Sequence, residues 1–140
     1  VAFRSDLYDV TADGSGTWTR IRTSTSGATT YAPAVGSRLT NNLTTHVATF
    51  GRGSLTHSYE SPPPGWAASG RMEFNTLTVG IDGTEYVLSG SLRSLYGFAG
   101  EVASHVGEVR ITSNGAVVAR IYGDANGALQ VAISSPLVVF

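Results

Sequence analysis

His46, His57 and His105 are the side chains in this sequence best suited to proton transfer or metal ligation near neutral pH. A small hydrolase or cyclase would use one of them as general base. If Phe50-Gly51-Arg52-Gly53 turns the chain, His46 and His57 approach each other across it. Adding Glu60 or Glu108 would then complete the smallest ligand set for a metal ion. No HxH, HExxH or His/Cys cluster accompanies them, so the sequence predicts no metal and no cofactor. A serine nucleophile would need an exposed elbow, and G-x-S-x-G is absent; Gly14-Ser15-Gly16 and Gly51-Arg52-Gly53-Ser54 are loose relatives. Catalysis by histidine therefore stands as an alternative reading and not as the main one.

The carboxylates have a simpler role. Asp13, Asp82 and Asp124 each stand beside glycine-rich turns, where aspartate bonds to its own backbone and tolerates the left-handed conformation. Asp124-Ala125-Asn126-Gly127 opens like a calcium loop but lacks the later ligands and the closing glutamate. The aromatic side chains offer the other route to function. Trp18, Trp66, Tyr59 and Tyr96 are the candidate binding residues, able to stack against a sugar ring or a partner's side chain. Trp66 follows Pro62-Pro63-Pro64-Gly65, so it either pins that loop to the core or projects from it.

These residues need elements to hold them, and the pattern predicts strands. Leu77, Val79 and Ile81 alternate with Thr78 and Gly80, then Asp82-Gly83 precedes Glu85-Tyr86-Val87-Leu88. Val109 and Ile111 alternate likewise before Asn114-Gly115 and the run from Val117 to Tyr122. Asp-Gly and Asn-Gly between alternating runs are strong hairpin signals, because a type I′ turn needs positive φ at both central residues. By the two-residue period, Val117, Ala119, Ile121, Leu129, Val131 and Ile133 share one face, expected to be a core face. Towards the N-terminus, Asp13-Gly14-Ser15-Gly16 reads as a turn between strands at 7–10 and 17–22, and Ser26-Gly27 as another. Residues 37–50 fit either period, and their threonines favour a strand. Leu92, Leu95 and Tyr96 have helical spacing, predicting at most one short helix over 91–96. The expected fold is all-β: an antiparallel sandwich or an up-and-down meander barrel of about eight to ten strands. Residues 1–140 read as a single domain, with the proline-rich stretch 61–65 as a surface loop inside it.

Composition narrows the function classes. An apolar share of 41% with only 14% charged residues excludes a disordered chain. No apolar run is long enough for a transmembrane helix. A net charge of −1 with scattered charges offers no footprint for nucleic acid. All nine basic residues are arginine and cysteine is absent, which excludes disulfides and thiolate chemistry. The Ser, Thr, Gly and Asn content, and a start at Val1 without an apolar leader, point to an extracellular or cell-surface fragment.

Gly16-Thr17-Trp18, followed by a run of hairpins, resembles the opening of the calycins (lipocalins and avidins). The resemblance covers three residues and implies a closed barrel carrying a small apolar ligand. The reading from the residues themselves is a noncatalytic extracytoplasmic binding or structural module, acting by protein–protein contact, surface assembly or carbohydrate contact. A calycin-like carrier of a small apolar ligand and a histidine-dependent hydrolase are its alternatives. Leu137-Val138-Val139-Phe140 reads as an apolar strand that completes its own sheet or adds to a neighbour's, which makes a homo-oligomer through edge strands a further expectation.

Overall fold

In the computed structural model, which describes residues 3–5, 10–99 and 102–134, the chain is all-β and antiparallel. Twelve strands make one sheet: β1 (Phe3–Ser5), β2 (Val10–Asp13), β3 (Gly16–Arg22), β4 (Gly27–Pro33), β5 (Arg38–Asn41), β6 (Val47–Phe50), β7 (Ser54–Glu60), β8 (Ala68–Ile81), β9 (Thr84–Tyr96), β10 (Val102–Ser113), β11 (Ala116–Gly123) and β12 (Leu129–Ile133). Among the described residues there is no helix, and so none long and apolar enough to cross a membrane. The expected strands at 7–10 and 137–140 fall largely or wholly outside the described residues.

The pairing has a simple logic. β6 and β7 follow one another along the same edge of β8, β6 opposite 79–81 and β7 opposite 69–75. In the same way β5 and β4 lie against β6 and β7, and β2 and β3 against β5 and β4. Three pairs of short strands are thus three long passes, each broken once, and the twelve segments amount to nine passes of an up-and-down meander. Among the described residues the sheet is not closed into a barrel, so they do not form the enclosed interior that the calycin resemblance implies.

The breaks line up. Residues 14–15, 34–37 and 51–53 interrupt the first passes, a bulge at Asn75–Thr76 interrupts β8, and Gly90 and Gly107 bend β9 and β10. Gly90 has φ +106°, and a Cβ there would lie 2.3 Å from the Glu108 carbonyl oxygen. Gly53 is equally constrained, with φ +107° and a Cβ position 2.3 Å from the Thr76 oxygen. Only glycine supplies that backbone without steric conflict. These bends form one line from the first passes to Gly90 of β9, while β10 keeps its register with β9 unbroken from Ser104 to Thr112.

The two strongest sequence signals are met. Asp82 and Gly83 both have positive φ, as do Asn114 and Gly115, and each pair joins adjacent strands. Three expectations are corrected. The helix over 91–96 is strand, because β8 and β10 pair with β9 on both sides and their ladders override the helical spacing of Leu92, Leu95 and Tyr96. Asp13–Gly16 is not a hairpin turn; the pass continues through it, with Ala34 N–H donating to Ser15 O at 2.8 Å. The third concerns the shared face of Val117, Ala119, Ile121, Leu129, Val131 and Ile133: the last five pair in the expected register, but a bulge between Ile111 and Thr112 sets Val117 opposite Thr112, on the other face. Ala119 is buried, at 1% exposure, and Ile121 half-buried, but the other four are exposed. They lie at the sheet's end, where no described residue covers them.

Candidate functional site

Residues directly opposite in a sheet share a face, so the register defines rows across it. One row runs Trp18, Tyr31, Leu55, Phe74, Gly90, Val109, Ile121, Val131. Apart from Gly90 it is apolar or aromatic throughout, an apolar stripe across eight strands. Its centre is covered and its ends are not: Val109 is 3% exposed, Trp18 71% and Val131 63%. Trp18 rests on Tyr31 with ring centroids 4.5 Å apart. A second row on the same face is Thr29, His57, Met72, Leu92, Gly107, and a third is Gly27, Tyr59, Gly70, Ser94, His105.

A cleft of about 240 Å³ lies across these rows, lined by Phe74, Val109 and Ile121, by Met72 and Leu92, by Gly70, Ser94, Tyr96 and His57, and by Arg71 between Gly70 and Met72. Gly70 forms its floor. A Cβ on Gly70 would sit 3.8 Å from the Tyr96 ring and 3.9 Å from His57 Nε2, an ordinary contact distance. Two side-chain pairs stand at the polar end. His57 meets Tyr59 edge-on at 4.8 Å between centroids, and Ser94 Oγ lies 3.1 Å from His105 Nδ1. The cleft thus combines an apolar body with a rim that can donate and accept hydrogen bonds.

The opposite face of the same strands is polar. Arg71 stands directly across from Arg93, and Arg110 from Arg120. Like charges placed opposite each other repel, and a glutamate relieves each pair. Glu60 lies 3.0 Å from Arg71 Nε and 3.4 Å from Arg93 Nε. Arg71 Nε is close enough for charge attraction but poorly aligned for a hydrogen bond, and Arg71 Nη2 donates to Glu60 Oε2 instead at 3.4 Å. Glu108 pairs with Arg110 and lies 3.7 Å from Arg120 Nη1. Arg93 also donates to Ser69 Oγ at 2.8 Å and to the Ser61 carbonyl at 3.2 Å, which holds the start of the proline loop.

The candidate residues divide accordingly. His57, His105, Trp18, Tyr59 and Tyr96 share the apolar face. Trp66 sits half-buried in the proline loop, whose end is tied by Ala67 N–H to Tyr96 O at 3.0 Å. His46 is elsewhere. Residues 51–53 carry the chain onward along β8 and do not turn it back, so His46 and His57 lie at opposite ends of one pass, against the expected approach.

His46 pairs through Nδ1 with Asp82 Oδ2, and Val47 N–H donates to Asp82 Oδ1 at 3.2 Å. The Val47 bond first and the His46 bond second hold the Asp82 carboxyl below its ordinary range. An open groove lined by Arg38, Val47, Thr49, Asp82 and Glu85 adjoins this pair. No cluster of three metal-ligating side chains occurs among the described residues. The Asp124 carboxylate is taken up by its own loop, accepting from Asn126 N–H at 2.8 Å, Ala128 N–H at 3.0 Å and Gln130 Nε2 at 3.0 Å. These bonds, that of Asn126 foremost, lower its pKa, and they account for the residue as a turn former.

Sequence reasoning missed Gly70, Phe74, Leu92 and Ser94. The alternation Leu55, His57, Tyr59 was a usable signal for this face, but the helical spacing at 91–96 concealed that Leu92, Ser94 and Tyr96 point the same way. In comparisons with protein-family models, curated proteins and solved structures, the chain finds no match.

Proposed function

We propose that this chain is a noncatalytic binding module whose cleft receives one ring-sized, largely apolar group carrying a hydrogen-bonding atom, such as an aromatic side chain of a partner protein. The observation that carries this reading is the cleft itself, with its glycine floor, aliphatic and aromatic walls, and histidine, serine and tyrosine at one end. A volume of about 240 Å³ exceeds the roughly 150 Å³ of an engineered apolar cavity that takes benzene and falls below the range of drug-sized sites. A group of about ten non-hydrogen atoms fits that space, and at usual ligand efficiencies it binds weakly on its own. The exposed stripe ends at Trp18 and Val131 would add contact area when the group belongs to a larger partner. The composition supports a setting outside the cytoplasm.

Indole is a suitable probe. Saturation-transfer NMR should detect indole on the chain, and Gly70→Ala should weaken it at least fivefold without lowering the melting temperature. Binding unaffected by Gly70→Ala would overturn the assignment. The Ser94–His105 contact favours one second reading, a serine hydrolase. Ser94 lies mid-strand between Gly70 and His105, in ladders on both sides, so its neighbourhood offers no free backbone donors for an oxyanion. Turnover of p-nitrophenyl acetate that disappears in Ser94→Ala would establish that reading over binding.

A further inference from the structure

We infer that β12 is a self-pairing edge, and that it joins a second copy of this chain in an antiparallel two-fold pair centred on Val131. The inference rests on the backbone of one strand and is independent of the cleft. Among the described residues the sheet has three outer strands: β1, β3 and β12. β1 is only three residues long, and β3 carries Arg20 and Arg22, charges of the kind that discourage edge pairing. β12 is Leu-Gln-Val-Ala-Ile, with no charge and no proline, and Leu129, Val131 and Ile133 are all exposed.

The direction of its free hydrogen-bonding groups follows from the ladder. Ser134 N–H donates to Val118 O at 2.8 Å, and Asp124 N–H to Ala128 O at 3.0 Å. These bonds flank the pairs Ile133–Ala119 and Leu129–Gly123, which are therefore not hydrogen-bonded to each other. By alternation Val131–Ile121 is of the same kind. The N–H and C=O of Leu129, Val131 and Ile133 consequently point outward, away from β11. Setting Val131 opposite Val131 of the second copy matches every one of them: Leu129 faces the other Ile133, and Ile133 the other Leu129. Six hydrogen bonds form, whereas a slip of two residues loses two of them. A two-fold axis normal to the sheet also keeps the apolar faces on one side, so the two stripes join end to end at Val131. Pairing through five residues buries less than a standard interface of roughly 1,200–2,000 Å². The association is accordingly weak and concentration-dependent.

The chain has no cysteine, which permits a register-specific test. Residues in a hydrogen-bonded antiparallel pair have Cα atoms about 5.5 Å apart, within the range a disulfide spans. In the full chain, Val131→Cys should cross-link to itself under mild oxidation at least tenfold faster than Leu129→Cys. A mixture of Leu129→Cys and Ile133→Cys should cross-link to each other. Sedimentation velocity of the unsubstituted chain should show a reversible monomer–dimer equilibrium, lost in Val131→Lys. Equal cross-linking of Val131→Cys and Leu129→Cys would overturn the register. Open-ended polymers, as β12 pairing with another copy's β3 would give, would overturn it as well. A monomer at every concentration, the result if residues 135–140 of the same chain occupy this edge, would overturn the whole inference. None of these outcomes bears on indole binding, so failure here and failure of the cleft reading are distinguishable.

Discussion

The two faces of this sheet are made from alternate residues of the same strands, yet they solve different problems. On one face Phe74, Val109 and Ile121 fall in one row, with Val109 buried and Phe74 and Ile121 half-buried at the centre of the stripe. On the other, Arg71 meets Arg93 and Arg110 meets Arg120, and Glu60 and Glu108 hold each pair together. The apolar face derives its stability from buried area, which falls away towards Trp18 and Val131. The charged face contributes little net stability but keeps one side of a thin sheet in water. The apolar side still has surface open to contact, at the cleft and at the stripe ends.

Changes along the shared bend should have the largest effect, because both faces depend on it. Gly90→Ala drives a methyl into the Glu108 carbonyl at a positive φ. It should cost about 3 kcal/mol or more in urea denaturation. Gly70→Ala, also within a strand, should cost nothing measurable, since its methyl meets only ordinary contacts. The apolar face can be tested against itself using one residue type in one row. Val109→Ala should destabilise by about 2 kcal/mol and Val131→Ala by less than about 0.5 kcal/mol, because only the first valine is covered. Similar losses at both sites would mean that the stripe ends are buried in the free protein.

The charged face should respond more weakly. Glu60→Gln leaves Arg71 and Arg93 opposed without their counterion, and should cost about 1 kcal/mol at low salt and less at high salt. The smallest effect belongs to the Asp82 latch. Its carboxyl is held lower in the folded chain than in the unfolded one, so it stabilises the fold above about pH 4. That contribution is lost as pH falls through the folded value. Asp82→Asn should therefore flatten the acid limb of a plot of melting temperature against pH, while leaving its shape near neutrality unchanged.

Much of the second half of the fold was legible in the sequence, for a physical reason. Asp82-Gly83 and Asn114-Gly115 each demand two consecutive positive φ values, which few other turns tolerate, and they fix two hairpins without tertiary information. The first half was less legible because its passes are broken by bulges that read as turns. Gly51-Arg52-Gly53 has turn composition, but Gly51 and Arg52 stay bonded to Thr78 and the chain runs on. That one segment decides whether His46 and His57 meet, and local chemistry could not distinguish a bulge from a reversal. The cleft was partly visible: His57, Tyr59, Tyr96 and His105 were candidates, whereas Gly70 and Ser94 became recognisable only through the register between β7, β8, β9 and β10. Alternation also predicts which residues share a face, as it did for Ala119 to Ile133, but it misses the bulge that turns Val117 to the other side and does not tell whether anything lies over the face.

We propose that the apolar face, at its cleft, is the working surface of this chain. Backbone resonance mapping during an indole titration of the 15N-labelled chain tests it most directly. Saturable shifts should centre on Gly70, Leu92, Ser94 and Tyr96, with none at the side-chain Nε–H groups of Arg93, Arg110 and Arg120. Shifts centred on the arginine face, or saturable shifts confined to the Trp18 end, would contradict it.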